Sequence, residues 1–264
     1  MQWGQTVETL EIEVMAYDAL YLSPHFDDAV LSCGGQIYKQ TARGERVLIV
    51  TIAAGEPETE VRSFFAEYQH HVWGLSAAEV VATRRAEDAR AVARVGAELM
   101  TWSLPDAIYR LDPETGEPLY TSNETLFGPL SPAEAPLVAA LAGQMRALPP
   151  ASRVFAPLGV GNHVDHQLVR AAAEQAFASL LYYEDYPYIQ WQPASLATLL
   201  QPPEAWEPIV CPLSEAAIEA RIGAIAAYQS QLGMLFNGEE AMGRLVREQI
   251  AATGGERYWY CRFT

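Results

Sequence analysis

Arg46-Val47-Leu48-Ile49-Val50-Thr51-Ile52 is the stretch that decides the fold. Its apolar residues are consecutive rather than alternating, and β-branched side chains dominate. A strand with that pattern is covered on both faces, as in a parallel sheet lying between helices. Upstream, Ala19-Leu20-Tyr21-Leu22 reads as a strand over 18–23, followed by a helical stretch from Asp28 to Ala42 that stops at Gly44. Downstream, residues 76–95 read as a helix. Ser76 and Glu79 form a capping-box pattern at its start, and Gly96 ends it. Strands are then expected at 97–103, 153–157 (Val154-Phe155-Ala156-Pro157) and 180–184. Helices are expected at 134–147, 166–179, 214–230 and 238–252, with a final strand at 257–263.

Alternating strands and helices define an α/β, Rossmann-like chain with a mostly parallel sheet and helices on both faces. At 264 residues, half of them hydrophobic, it can bury one large core, so 1–264 is read as a single domain. Within it, 1–17 is an N-terminal extension and 185–264 a C-terminal part. Residues 104–136, punctuated by Pro and Gly, form a connection long enough to suggest a role at the site.

The net charge of −16 disfavours nucleic-acid backbones and anionic membranes as partners. No apolar run approaches the roughly 18 residues of a spanning helix, and Met1 to Glu13 lacks the pattern of a secretory leader. Cys33, Cys211 and Cys261 are odd in number and far apart, which argues against a disulfide framework and for a cytoplasmic protein. All but Lys39 of the 17 basic residues are Arg, a bias of composition with no mechanistic weight.

Chemistry concentrates in two segments: Ser23-Pro24-His25-Phe26-Asp27-Asp28 and His163-Val164-Asp165-His166. Between them they hold three of the five histidines, and each follows a strand. Ligands of open parallel sheets bind beyond the carboxyl ends of the strands, where both segments are expected. A catalytic zinc takes three protein ligands of His or carboxylate type and leaves a position for water, whose pKa it lowers toward ~7. His25, Asp28 and His166 can supply those three ligands. The same donors also suit Fe(II) or another divalent ion. Asp27 remains as an adjacent base. His163 is left to donate to an oxyanion, with Asp165 holding its tautomer and favouring its charged form.

Simpler readings exist for each element. An Asp pair after a strand can be a helix cap and a first-turn acid. His70 and His71, in the polar stretch 64–73, read as surface residues. Cys33 reads as a small core filler, and Gly34-Gly35 as an allowance for close packing, since no Gly-x-Gly-x-x-Gly spacing is present. Two such His/Asp segments at one sheet edge are hard to attribute to capping alone.

The first segment, with Leu31 and Gly34-Gly35, resembles the opening signature of the PIG-L/LmbE-like deacetylases. The His-x-Asp-His of residues 163–166 resembles their second signature. That resemblance, covering about 18 to at least 230, implies an LmbE-like fold and zinc on His25, Asp28 and His166. It further implies Asp27 as general base and His163 as stabiliser or acid toward the tetrahedral intermediate. It also offers Glu56, Arg84 and Asp106 as substrate contacts, with pairing to helix neighbours the competing reading for Arg84 and turn formation before Ala107 that for Asp106. Phe26 and Ala29 stand where many members have Pro and Glu, which loosens any transfer of substrate identity. Tyr182 to Tyr188 offers a sugar-stacking wall or, equally, loop packing.

The expectation is therefore a zinc-dependent hydrolase removing an N-acetyl or N-acyl group from an amino sugar or glycosylated small metabolite. Its partner is that small molecule, and a homo-oligomer is compatible with the sequence. A rival in the same chemistry is an amidase cleaving a larger acyl group from a thiol conjugate or glycopeptide. A rival of another class is a non-catalytic sugar- or nucleotide-binding α/β module.

Overall fold

Val47–Thr51 (β2) pairs in parallel with Ala19–Ser23 (β1), Ala19 opposite Val47 and Ser23 opposite Thr51. Every residue of both strands is buried. The consecutive apolar side chains are thus satisfied on two faces, each large one contributing about 1.5–3 kcal/mol by leaving water. The computed structural model describes residues 16–57 and 63–262, so nearly all of the expected N-terminal extension lies outside the described residues.

Along the chain, β1 leads into Asp28–Thr41 (α1) and β2 into Phe64–Trp73 (α2) and Ala77–Arg94 (α3). Glu98–Thr101 (β3) follows, then Asn123–Leu126 (α4), Ala135–Arg146 (α5), Val154–Pro157 (β4) and Val164–Ala176 (α6). Leu181–Tyr183 (β5), Tyr188–Trp191 (α7), Pro193–Leu199 (α8) and Trp206–Cys211 (β6) come next. Glu215–Ile225 (α9), Gln229–Phe236 (α10), Glu239–Thr253 (α11) and Glu256–Cys261 (β7) complete the order.

The seven strands form one sheet in the order β3-β2-β1-β4-β5-β7-β6. Its first five members are mutually parallel, and β7 runs antiparallel to both β5 and β6. The chain builds outward from β1 through β2 to β3, then crosses back to lay β4 on the other side of β1. That reversal is a topological switch point, where open α/β sheets form their crevices. Both His/Asp segments leave from its two strands.

Three elements differ from expectation. Residues 64–73 are helix α2, with Phe65, Ala66 and His70 turned inward. Residues 206–211, where no element is expected, form β6. The helix expected at 214–230 is two, α9 and α10. Gly34 and Gly35 do permit close packing. A Cβ on Gly34 would meet Arg221 Cγ at 3.1 Å, and one on Gly35 would meet Leu213 Cδ1 at 2.4 Å. Cys33 is fully buried in the core.

Candidate metal centre and catalytic cavity

At the end of β1 the chain turns through Pro24 to Asp27 into α1. The Ser23 hydroxyl donates to the His25 carbonyl and accepts from the Ala29 amide, fixing the turn. The His25 amide donates to Asp28 Oδ2 at 2.8 Å, and the same oxygen lies 3.2 Å from His25 Nδ1. At the end of β4, His163 and α6 bring His166 Nε2 to 3.3 Å from Asp28 Oδ2. Three donor atoms from two adjacent strands therefore converge: His25 Nδ1, Asp28 Oδ2 and His166 Nε2.

Each imidazole is held at its other nitrogen. His25 Nε2 contacts Asp165 Oδ2 at 2.8 Å, and His166 Nδ1 contacts Asp185 Oδ1 at 2.7 Å. Carboxylates placed this way orient metal-binding imidazoles and raise their basicity. His166 Nε2 is buried and has no hydrogen-bond partner among the described residues. Such an atom is costly to bury unless something binds it.

The electrostatics ask for positive charge at the same place. Burial opposes the imidazolium of His25, but hydrogen bonds to Asp165 and Asp28 outweigh it and raise its pKa well above the ordinary value. His166 is likewise opposed by burial, yet Asp28 and Asp185 lift it to about 9. Asp28, despite burial, is pulled well below the usual carboxylate range by His166 and His25. Without metal, two imidazoles take up protons among carboxylates; a divalent cation satisfies the same field. The residues fit such an ion.

The other potential donors are engaged elsewhere. His25, His163 and His166 offer nitrogens within 4.8 Å of one another, as do the donor atoms of His25, Asp106 and Asp165. Asp165, however, also accepts from Arg110 Nη1 at Oδ1 and from the Ala107 amide at Oδ2. His163 Nδ1 accepts from the Asp165 amide at 3.2 Å. This corrects the expected role of Asp165: its backbone N–H, not its carboxylate, sets the His163 tautomer, leaving Nε2–H as donor. Nor is the charged form of His163 favoured, since burial and then the neighbouring His25 push its pKa well below the ordinary value.

Asp27 lies on the cavity wall. Burial raises its carboxyl pKa, and Arg84, 3.3 Å away, offsets part of that rise. Arg84 also packs its guanidinium over Phe26 and Trp73. The cavity, about 370 Å³, is lined by His25, Asp27, Asp28, Arg84, Asp106 and His163 among others. Asp106 accepts from the Ile108 amide and sits 3.6 Å from His25 Nε2. Glu56 is not brought in; it is largely exposed and 3.8 Å from Arg85.

Residues 104–136 contribute side chains to the cavity. They place Asp106 and Phe127 on the cavity wall, and Arg110 bridges Asp165 to Glu134, which also accepts from Tyr120. His70, expected at the surface, is buried, with Nε2 2.5 Å from the Tyr109 hydroxyl; His71 is exposed as expected. Of the aromatic segment, Tyr182, Tyr183 and Tyr186 are core, while Tyr188 faces the cavity. Asp185, Arg110 and Glu134 were not singled out from sequence. The one signal for Asp185 is its position, an acid just after a strand at the same sheet edge.

A switch-point crevice that gathers His25, Asp28 and His166 beside Asp27 and His163 has the donor set of a metal-dependent hydrolase. Residues 20–177, more than half of the chain, match the PIG-L family, described as GlcNAc-PI de-N-acetylase. The chain belongs to that family and is an N-deacetylase with an LmbE-like fold. It is 28% identical over 258 residues to 2'-N-acetylparomamine deacetylase of Niallia circulans, covering 91% of this chain and 89% of that one. It resembles the zinc-inhibited form of teicoplanin deacetylase with a TM-score of 0.77 and 26% identity, over 92% and 96% of the two chains. The A40926 pseudoaglycone deacetylase gives a TM-score of 0.71 and 26% identity, over 95% and 99%. No described helix is long and apolar enough to cross a membrane.

Proposed function

We propose that the protein is a zinc-dependent hydrolase that removes the N-acetyl group from an amino sugar, borne on a glycosylated small metabolite. The whole of 1–264 acts as one catalytic domain. The observation that carries the reading is the convergence of His25, Asp28 and His166 donor atoms beside Asp27. The relatives' action on acetylated glycosides supports the substrate class. A cytoplasmic setting is supported by three free cysteines.

His25, Asp28 and His166 would hold the ion, which would supply Lewis acidity and lower the pKa of the attacking water. Asp27 takes the proton from the attacking water. It then hands that proton to the leaving amine nitrogen, a return favoured by the upward push that burial gives its carboxyl pKa. His163 donates from Nε2–H to the carbonyl oxygen as negative charge builds there. Held neutral and fixed by the Asp165 amide, it needs no reorganisation during the step. Arg84 and Asp106 line the space where the sugar hydroxyls would sit. Glu56 contributes at most from outside the cavity wall.

The test is acetate release from N-acetylglucosaminides by zinc-loaded wild type and Asp27→Asn. Loss of a positioned base is expected to lower kcat by about 10²- to 10⁴-fold with metal content unchanged. No acetate from any N-acetylated amino sugar with stoichiometric metal present would overturn the function. Full activity of Asp27→Asn would overturn the assignment of the base.

A further inference from the structure

Val80, Arg84 and Asp88 recur every fourth residue of α3 and share one stripe along it. All three are buried, and each reaches the Phe26–Asp27 step of the turn after β1. Val80 joins Val81 and Ala54 around Phe26 in a small apolar cluster, distinct from the main core. Arg84 lies over the Phe26 ring at 5.4 Å and meets Asp27 Oδ1 at 3.3 Å. Asp88 acts at one remove. Its Oδ1 is 3.0 Å from the Tyr228 hydroxyl, and that hydroxyl is 3.0 Å from the Phe26 carbonyl oxygen. Neither Asp88 nor Tyr228 lines the cavity.

A phenol has one hydrogen, yet Tyr228 has two oxygen neighbours at the same distance. The Phe26 carbonyl can only accept. An ionised Asp88 could also only accept, and its charge would draw the hydrogen away from the carbonyl. A protonated Asp88 instead donates from Oδ1 to the Tyr228 oxygen, which frees the Tyr228 hydrogen for Phe26. Burial raises the Asp88 carboxyl to about 8, which selects this second arrangement at neutral pH. Thr51 donates to the remaining oxygen, Oδ2, at 2.9 Å. Each hydrogen in the series then has one acceptor, from Thr51 to Asp88 to Tyr228 to Phe26. All four residues are buried, where a broken link is costly.

We infer that Tyr228 is a positioning residue for the general base: through the Phe26 carbonyl it fixes the peptide that carries Asp27, and Asp88 keeps its hydroxyl turned to donate there. The inference rests on the deacetylase reading above, in which Asp27 moves the proton. It extends that reading to two residues that touch neither the metal ligands' donor atoms nor the cavity.

The first test is kinetic. With zinc-loaded protein and an N-acetylglucosaminide, Tyr228→Phe is expected to lower kcat by about 10- to 100-fold, with KM and zinc content unchanged. In the Asp27→Asn background the same substitution is expected to cost nothing further, because it acts only through Asp27. Asp88→Leu is expected to repeat the loss, and Asp88→Asn, whose amide can donate to the Tyr228 oxygen, to restore kcat. Wild-type kcat in Tyr228→Phe overturns the inference. So does a further loss in the Asp27→Asn background, or a fall in bound zinc, since either assigns Tyr228 to general support of the cleft. Asp88→Asn no faster than Asp88→Leu overturns the part given to Asp88. No acetate from wild type removes the deacetylase reading and the inference with it, whereas an active wild type beside an equally active Tyr228→Phe removes the inference alone.

The second test needs no substrate. Phe26–Asp27 is the only Phe–Asp step in the chain, so carbonyl carbon-13 phenylalanine with nitrogen-15 aspartate labels that one peptide. Its carbonyl resonance is expected to move upfield in Tyr228→Phe and in Asp88→Leu, as loss of a hydrogen bond requires. An unmoved resonance overturns the anchor whatever the catalysis.

Discussion

The carboxylate of Asp185, just past β5, does two things at once. Oδ1 holds His166 Nδ1, and Oδ2 accepts from the amides of Gly159 and Val160, which begin the loop carrying His163. Asp185→Ala is expected to weaken metal affinity by about 10- to 100-fold, measured by calorimetric titration of zinc into metal-free protein. Unchanged affinity would show that His166 is oriented by packing alone. Arg110 plays the matching part for His25 by holding Asp165 between its guanidinium and the imidazole. Replacing it with Met leaves Asp165 and Glu134 buried without their cation. That is expected to cost about 3–5 kcal/mol in chemical denaturation. An Arg110→Met stability within about 0.5 kcal/mol of wild type, the range of an ordinary surface change, would show the pair to be energetically idle. The residues assigned to the metal and the proton were legible because they fall in two short segments, 23–28 and 163–166. Asp185, Arg110 and Glu134 were not, because their partners come from other elements and only the fold unites them.

Helices and strands were legible where their burial followed the usual pattern for their type. β1, β2 and β4 are apolar because both of their faces are covered, and the sequence says so directly. Helix α2 hid because its apolar stripe faces outward and its inward face includes a histidine, which inverts the ordinary pattern. β6 hid because it is an edge strand with exposed Glu207, Pro208, Ile209 and Val210, a composition that reads as loop. Helix α3 carries a buried acid that ties elements together. Asp88 accepts from Thr51 of β2 at 2.9 Å and lies 3.0 Å from the Tyr228 hydroxyl, which also reaches the Phe26 carbonyl beside Asp27. Burial raises the Asp88 carboxyl from an ordinary 3.8 to about 8. Between those values the folded chain keeps a proton that the unfolded chain has lost. The stabilisation from this group is therefore complete below the lower value and is lost as pH climbs through the higher one. Asp88→Asn removes the dependence. Its stability relative to wild type is expected to rise steadily from pH 4.5 to pH 8.5 in urea melts, whereas parallel curves would show that Asp88 ionises normally.

For the molecule as a whole, the sheet order is what makes a site from two distant segments. β1 and β4 lie side by side only because the chain reverses its direction of growth between them. The alternation of strands and helices announced a parallel sheet, and the motifs announced its working edge. The antiparallel addition of β7 and β6 was less legible, since a terminal strand does not declare its direction. The cavity walls drawn from α2, 104–136, α7 and α10 likewise depend on packing between elements far apart in sequence. On the proposed function, one divalent ion held by His25, Asp28 and His166 enables this chain to cleave an acetamide. The most direct measurement is acetate release from an N-acetylglucosaminide as zinc is titrated into metal-free protein. The expected result is negligible release without metal, rising linearly to a break at one equivalent per chain. Full release by the metal-free protein, with chelator present throughout, would contradict it.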